Sequence, residues 1–224
     1  MERRRVMEWR EQSGIEWLQV ALPGGGAAFS TRSAGSLKES HAAFAGALGL
    51  DPARVAIARQ VHGDRLLFHD GPPGLPVEAD GHVLTAPTTA ALVFTADCLP
   101  VALAGPRGVA MLHCGWRGLA AGIVARGCEA VGATQAAIGP GIGRCCYEVG
   151  DEVLGAFAGL GDGIADERML DLSEAARRLL AGAGVEEVES AGLCTHCDPE
   201  RFFSHRRDGG PGRQGGIAWT EAGD

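Results

Sequence analysis

The chain of 224 residues contains no asparagine and only one lysine, Lys38; its other 19 basic residues are arginines. A P-loop is absent, and Schiff-base chemistry would fall to Lys38, in a Gly- and Ser-flanked, solvated segment. No stretch approaches the roughly 18 consecutive apolar residues of a membrane span. The start of the chain, with Arg3, Arg4 and Arg5 followed by Glu8, Trp9 and Arg10, has no apolar signal region. A soluble, cytoplasmic protein without a membrane partner is the expectation. Positive charge is scarce too: 28 acidic against 20 basic residues give a formal charge of −8. That balance provides no sequence-wide attraction to phosphate backbones, so nucleic acid is not an expected partner. Cysteine is not scarce, but the count of seven is odd, and without a secretion signal it argues against a disulfide framework. The cysteines are expected to be small buried apolar residues, or else to serve metal binding or thiolate chemistry.

An apolar content of 46% over this length is enough to bury one globular core, and a single domain spanning 1–224 is expected. Glycine, at 35 residues, is about twice its usual share of roughly 7% and occurs in clusters, which implies many tight turns. Apolar runs bounded by Gly and Pro predict strands at 16–22, 27–31, 65–69, 81–85, 91–95, 100–103 and 109–112, with further strands at 135–138, 187–191 and 216–219. Helical spacing predicts helices at 39–48, 118–131, 150–158 and 173–182, the last with a serine N-cap before Glu174, and a helical segment at 52–59. Segment 71–76 (GPPGLP) reads as a rigid loop, and the residues after Gly209 as a mobile loop and frayed tail. The fold class is α+β, mixed β-sheets packed with outer helices, rather than a regular βαβ array.

Three segments place polar residues at the ends of apolar runs: QVHG (60–63), TADC (95–98) and HCGWRG (113–118). Strand ends facing a helix start are where ligands converge. Two imidazoles and a thiolate, from His62, Cys98 and His113, suit Zn²⁺, and three protein ligands leave a fourth position for water. A lone histidine at a strand end is more often a hydrogen-bonded structural residue, and spacing alone leaves both readings open. Cys98 with either histidine also permits an imidazole-activated thiolate nucleophile. A structural zinc site would need a fourth protein ligand; Cys114 is adjacent to His113, and neighbouring strand residues seldom ligate one ion. The pairs Cys145-Cys146 and Cys194-x-x-Cys197 are each a weak signal, and buried or partly exposed thiols are expected there without a second metal. GPGIG (139–143) lacks the full dinucleotide-binding spacing and reads as a turn.

Six blocks in order, QVHGD (60–64), ADGHVLT (79–85), TADCLPV (95–101), HCGWRG (113–118), AIGPGIGRCCYEVGDEV (137–153) and LCT followed by FFSHRRDG and GR (193–213), resemble the YfiH-type laccase-domain family over about residues 29–219. That family has been called polyphenol oxidase and is associated with purine nucleoside phosphorolysis and adenosine deamination. The resemblance implies mixed sheets with outer helices and a zinc site made of His62, Cys98 and His113, which would also be the catalytic residues. It implies a zinc-dependent purine nucleoside phosphorylase taking adenosine, inosine or methylthioadenosine with phosphate, with adenosine deaminase activity as a second reaction. It also allows a Cys98-dependent hydrolase editing peptidoglycan precursors, or a copper-dependent polyphenol oxidase with Cu²⁺ in the same site.

An anion clamp on phosphate calls for arginine. The candidates are Arg117, Arg206, Arg207 and Arg32, and the blocks favour Arg117 and Arg206 over Arg32 as substrate-binding residues. Asp80 would order the site or contact substrate, whereas Asp97, if its segment is extended, points away from the side Cys98 faces. A laccase-type trinuclear copper centre needs about ten histidines, many in His-x-His pairs. This chain has seven, and no two are spaced i, i+2. Two departures from the family bear on substrate: 31–49 is altered, and His205 stands where tyrosine is usual, bringing a titrating group beside Arg206.

Overall fold

The computed structural model describes residues 7–71 and 73–222; the arginine-rich start at 1–6 and Pro72 of the predicted rigid loop lie outside the described residues. Two six-stranded sheets carry the fold. The first runs β1 (Glu8–Gln12), β2 (Ile15–Leu22), β3 (Gly25–Ser30), β14 (Gln214–Thr220), β7 (Ala90–Thr95) and β4 (Val55–Ala56). Its neighbours are antiparallel except β4, which is parallel to β7. The second runs β13 (Glu187–Ser190), β10 (Gln135–Ile138), β8 (Leu99–Gly105), β9 (Gly108–Cys114), β6 (Gly81–Leu84) and β5 (Leu66–His69), with a parallel pair at each edge. A short hairpin, β11 (Ala165–Asp166) and β12 (Met169–Leu170), completes the strands. The helices are α1 (Leu37–Ala47), α2 (Trp116–Ala121), α3 (Ile123–Val131), α4 (Asp151–Phe157), α5 (Leu172–Gly182) and α6 (His205–Asp208).

The period-two alternation of the strands sorts their side chains into layers. In the first sheet Trp17, Ala28, Leu92 and Ile217 face outward onto Leu37 and Phe44 of α1. The intervening Leu18, Phe29, Val93 and Ala218 face inward and meet Ala102, Ala104, Met111 and Ala137 of the second sheet. The outward residues of that sheet, Val101, Leu103, Ala110 and Leu112, pack under Ile123, Val124 and Val131 of α3 and Ala175, Ala176 and Leu180 of α5. The order is therefore helix, sheet, sheet, helices, the α+β arrangement that the pattern predicts. Small side chains between the sheets permit close approach. A Cβ on Gly216 would lie 2.8 Å from Pro100 Cβ and 3.0 Å from the Met111 sulfur.

Four local expectations are corrected. The helix predicted at 118–131 breaks at Gly122, whose φ of 95° ends α2 and opens α3. The N-cap of α5 is Asp171, accepting from the Glu174 amide at 2.8 Å, and Ser173 lies inside the helix. The segment 52–59 is a single 3-10 turn followed by β4, because Val55 and Ala56 pair with Ala90 and Ala91 of β7. Of the residues after Gly209, read as a mobile loop and frayed tail, Gln214–Thr220 form β14 inside the first sheet between β3 and β7, where the strand predicted at 216–219 falls; residues 223 and 224 lie outside the described residues.

Candidate metal centre and its cavity

The chain crosses from the first sheet to the second between β7 and β8, and Cys98 occupies that crossing. His113 is the penultimate residue of β9, the neighbour of β8, and His62 lies in the loop between β4 and β5 with a φ of 62°. The ligating atoms of His62, Cys98 and His113 all lie within 4.8 Å of one another. The two imidazole rings meet edge to face, with centroids 4.8 Å apart. Gly115 makes this convergence possible, because a Cβ there would come within 3.0 Å of Cys98 Sγ and 3.2 Å of His62 Cδ2. A left-handed backbone at a non-glycine residue is uncommon. At His62 it is held by an acceptor: the amides of Val61, His62 and Gly63 all donate to the Asp80 carboxylate, at 3.0, 2.9 and 2.8 Å.

Asp80 also accepts from His113 Nδ1 at 2.7 Å. The proton is thereby fixed on Nδ1, and Nε2 is left as the nitrogen able to ligate a metal. Asp80 is fully buried and is not among the cavity-lining residues, so of its two expected roles the geometry gives ordering of the site rather than contact with substrate: it holds His62 and His113 from behind. Burial pushes the Cys98 thiol up, but hydrogen bonds from His113 and His62, with their charge, outweigh it and bring the pKa down to about 6. For His113 burial acts downward, and the hydrogen bonds to Asp80 and Cys98 prevail, raising it to about 9. A thiolate beside oriented imidazoles is a donor set that fits one borderline-soft cation. Among the described residues one other group of metal-binding side chains occurs, formed by four cysteines; neither group holds three histidines, so the ligands of a trinuclear copper centre are not assembled.

A cavity of about 680 Å³ opens over the cluster, and His62, Cys98 and His113 contribute to its wall. Arg117 and Arg206 line it as well. The Arg117 guanidinium lies 4.4 Å from the Trp116 ring centroid. Arg206 donates through Nη1 to the Glu148 carbonyl at 2.9 Å and sits over the Tyr147 ring, while its amide donates to Asp97 at 2.7 Å. The other two candidate arginines hold structure. Arg207 donates to the carbonyls of Thr195, His196 and Phe202, and Arg32 to Phe202 O and Asp208.

Asp97 is not extended: at a φ of 87° it accepts from Thr195 Oγ1 and the Arg206 amide, tying two distant segments to the Cys98 loop. Lys38, expected in a solvated segment, is exposed on α1 yet reaches the cavity rim, as do His205 and Arg213. Tyr147, inside the CCYEV block, was not singled out by the sequence; its ring forms cavity wall, and burial with the nearby Cys98 charge pushes its pKa up to about 12.

Comparison with known proteins now decides the family. The family model described as multi-copper polyphenol oxidoreductase laccase matches residues 30–221. The chain belongs to the YfiH-type laccase-domain family. It is 37% identical to the purine nucleoside phosphorylase YfiH of Escherichia coli K12, over 77% of this chain and 76% of that protein. A purine nucleoside phosphorylase of Deinococcus radiodurans is 38% identical over 83% of this chain and 76% of its own length. The crystal structure of the Bacillus licheniformis protein YfiH superposes with a TM-score of 0.84 at 27% identity, covering 95% of this chain and 99% of that one. The YfiH-type fold therefore accounts for both sheets and for the crossing that carries Cys98.

Proposed function

We propose that this chain is a purine nucleoside phosphorylase that holds one zinc ion on His62, Cys98 and His113 and takes adenosine, inosine or a related nucleoside together with phosphate. The observation that carries the reading is one cavity in which the His/Cys/His cluster and two arginines, Arg117 and Arg206, share a wall. The names of the E. coli and D. radiodurans relatives support the same substrate class. A phosphate oxygen bonds to the ribose C1′ as the C1′–N9 bond breaks, leaving ribose 1-phosphate and the free base, which takes up a proton. When bound, the ion supplies Lewis-acid polarisation next to the reacting centre. Asp80 keeps the Nδ1 proton on His113 and so fixes the ring orientation.

Arg206 is held in place through Glu148, Asp97 and Tyr147. We assign its remaining guanidinium N–H groups, with those of Arg117, to the phosphate oxygens. To Tyr147, which lines the cavity and stays protonated throughout the neutral range, we assign proton donation to the departing purine. Removing either arginine forfeits a charge-assisted contact worth about 1.5–3 kcal/mol, so Arg117→Ala and Arg206→Ala are each expected to raise the KM for phosphate roughly tenfold to a hundredfold.

The test is incubation of zinc-replete protein with adenosine, with and without phosphate, and chromatographic separation of products beside a His62→Ala control. Phosphate-dependent adenine and ribose 1-phosphate, absent from the control, are expected. Inosine formed without phosphate would add the deaminase activity. No product in either condition overturns the nucleoside reading. A second reading has an observation of its own, because Asp80, His113 and Cys98 form an acid, imidazole and thiolate series. In that reading Cys98 attacks an amide of a cell-wall precursor. Metal-free protein is expected to be alkylated by iodoacetamide at Cys98 with a midpoint near the pH of about 6 at which the thiol ionises. Zinc protects Cys98 and supports turnover in the phosphorylase reading, and inhibits in the hydrolase one.

A further inference from the structure

The fold brings together two cysteine pairs that lie far apart in sequence and outside the centre described above. Cys145 and Cys146 sit in a turn after β10, and Cys194 and Cys197 follow β13, the parallel neighbour of β10. Past the ends of those strands the two segments stay joined: the Gly141 amide donates to Leu193 O at 3.3 Å and the Thr195 amide to Gly141 O at 2.9 Å. The sulfurs of all four cysteines lie within 4.8 Å of one another. Cys197 Sγ is 3.5 Å from Cys145 Sγ and 3.3 Å from Cys146 Sγ, which are themselves 3.6 Å apart. A tetrahedral ion with Zn–S bonds of about 2.3 Å would set its sulfurs about 3.8 Å apart. One sulfur nearly equidistant from two others is the arrangement of a tetrahedral vertex. It differs from a disulfide, which pairs sulfurs at about 2.05 Å.

The surroundings suit thiolates. The Gly143 amide donates to Cys194 Sγ at 3.2 Å. Gly143 also leaves the space the sulfurs use: a Cβ there would meet Cys194 Cβ at 3.1 Å, Cys145 Sγ at 3.3 Å and Cys194 Sγ at 3.4 Å. Adjacent cysteines in a strand would face opposite sides, but Cys145 and Cys146 lie in a turn, which lets both reach one point.

We propose that Cys145, Cys146, Cys194 and Cys197 form a second metal site, a tetrathiolate centre for a thiophilic divalent cation of the zinc class, distinct from the His62/Cys98/His113 centre. Binding replaces four S–H bonds with four metal–sulfur bonds and releases the protons to solvent. With four protein ligands and no open position the ion is structural. It clamps the turn leading into Tyr147 against the turn holding Thr195, whose hydroxyl donates to Asp97 beside Cys98.

The test is metal analysis of protein purified under reducing conditions and reconstituted with zinc. Two ions per chain are expected for the native sequence, one for Cys145→Ser/Cys197→Ser and one for His62→Ala. X-ray absorption at the zinc edge of His62→Ala, which keeps all four cysteines, is expected to show a shell of sulfur alone at about 2.3 Å; this measurement holds even if the double variant fails to fold. Cobalt reconstitution of the same variant is expected to give tetrahedral thiolate bands. One ion in the native chain, retained in the double cysteine variant and lost in His62→Ala, would overturn the proposal. So would a nitrogen-containing zinc shell in His62→Ala, or a protein mass lower by two hydrogens per cysteine pair in place of bound metal.

Discussion

At the scale of single residues, Asp80 has the largest consequence. Its Oδ1 accepts from the His62 amide and His113 Nδ1, and its Oδ2 from the amides of Val61 and Gly63. An amide in its place would set an NH₂ group against two N–H donors whichever way it turned, and each unsatisfied buried donor costs about 1–3 kcal/mol. Asp80→Asn is therefore expected to lower the melting temperature and to weaken metal binding about tenfold to a hundredfold, read by competition with a chromophoric chelator. The pH dependence has a definite sign. Burial acts to raise the Asp80 pKa, yet the hydrogen bonds from His113, Gly63 and Val61 outweigh it and the group stays below its ordinary 3.8. Its contribution to stability is complete above that ordinary value and is lost only as pH falls through the lower folded one. The clustering of His62, Cys98 and His113 was legible in the sequence because each lies at the edge of an apolar run and in a block of the family resemblance. The role of Asp80 was not, because three consecutive amides can converge on one carboxylate only after His62 takes a left-handed backbone. The four-cysteine cluster was hidden for a related reason: neither pair is a signal alone, and their meeting depends on the parallel pairing of β10 with β13.

At the scale of elements, strands were easier to place than the boundaries of helices. A short apolar run bounded by Gly or Pro marks a strand between two buried layers without reference to its partners, and 100–103 and 109–112, buried at every position, show it directly. A helix end depends on one side chain finding one amide. The sequence Asp171-Leu172-Ser173-Glu174 offers two caps, and the chain uses the aspartate; Ser173 instead faces Ser190 across 3.3 Å. Asp171→Ala is expected to destabilise the protein by about 1 kcal/mol, whereas Ser173→Ala should fall within about 0.5 kcal/mol of the parent, both read from urea unfolding midpoints. Equal losses, or a larger loss at Ser173, would contradict this assignment. The break between α2 and α3 belongs to the same class. The apolar spacing runs on through Gly122, and only its left-handed φ separates a short helix that starts beside His113 from a longer one packed on the second sheet.

At the scale of the whole molecule, the order of strands puts β14, far along the chain, in the middle of the first sheet. β14 pairs with β3 on one side and β7 on the other, so the first sheet stays divided until the last strand is in place. That strand also sets the approach of the two sheets at Gly216, and Gln214 at its start holds the Phe203 backbone just ahead of α6 and Arg206. A tail that frayed independently could be removed with little effect. Here removal of 210–224 would expose the unpaired backbone edges of β3 and β7 and the inward faces of Phe29 and Val93. The truncated chain is therefore expected to lose its cooperative thermal transition and to aggregate, and with it the His62/Cys98/His113 and four-cysteine clusters. A truncation that retained the native near-ultraviolet circular dichroism would show that β14 only rests on a sheet already formed. The pairing of residues near 30 with residues near 216 also requires the closure of a loop almost as long as the chain. The first sheet can then be completed only once β14 is in place, and the cavity, whose walls come from α1, both sheets and the 205–213 segment, is assembled in that step.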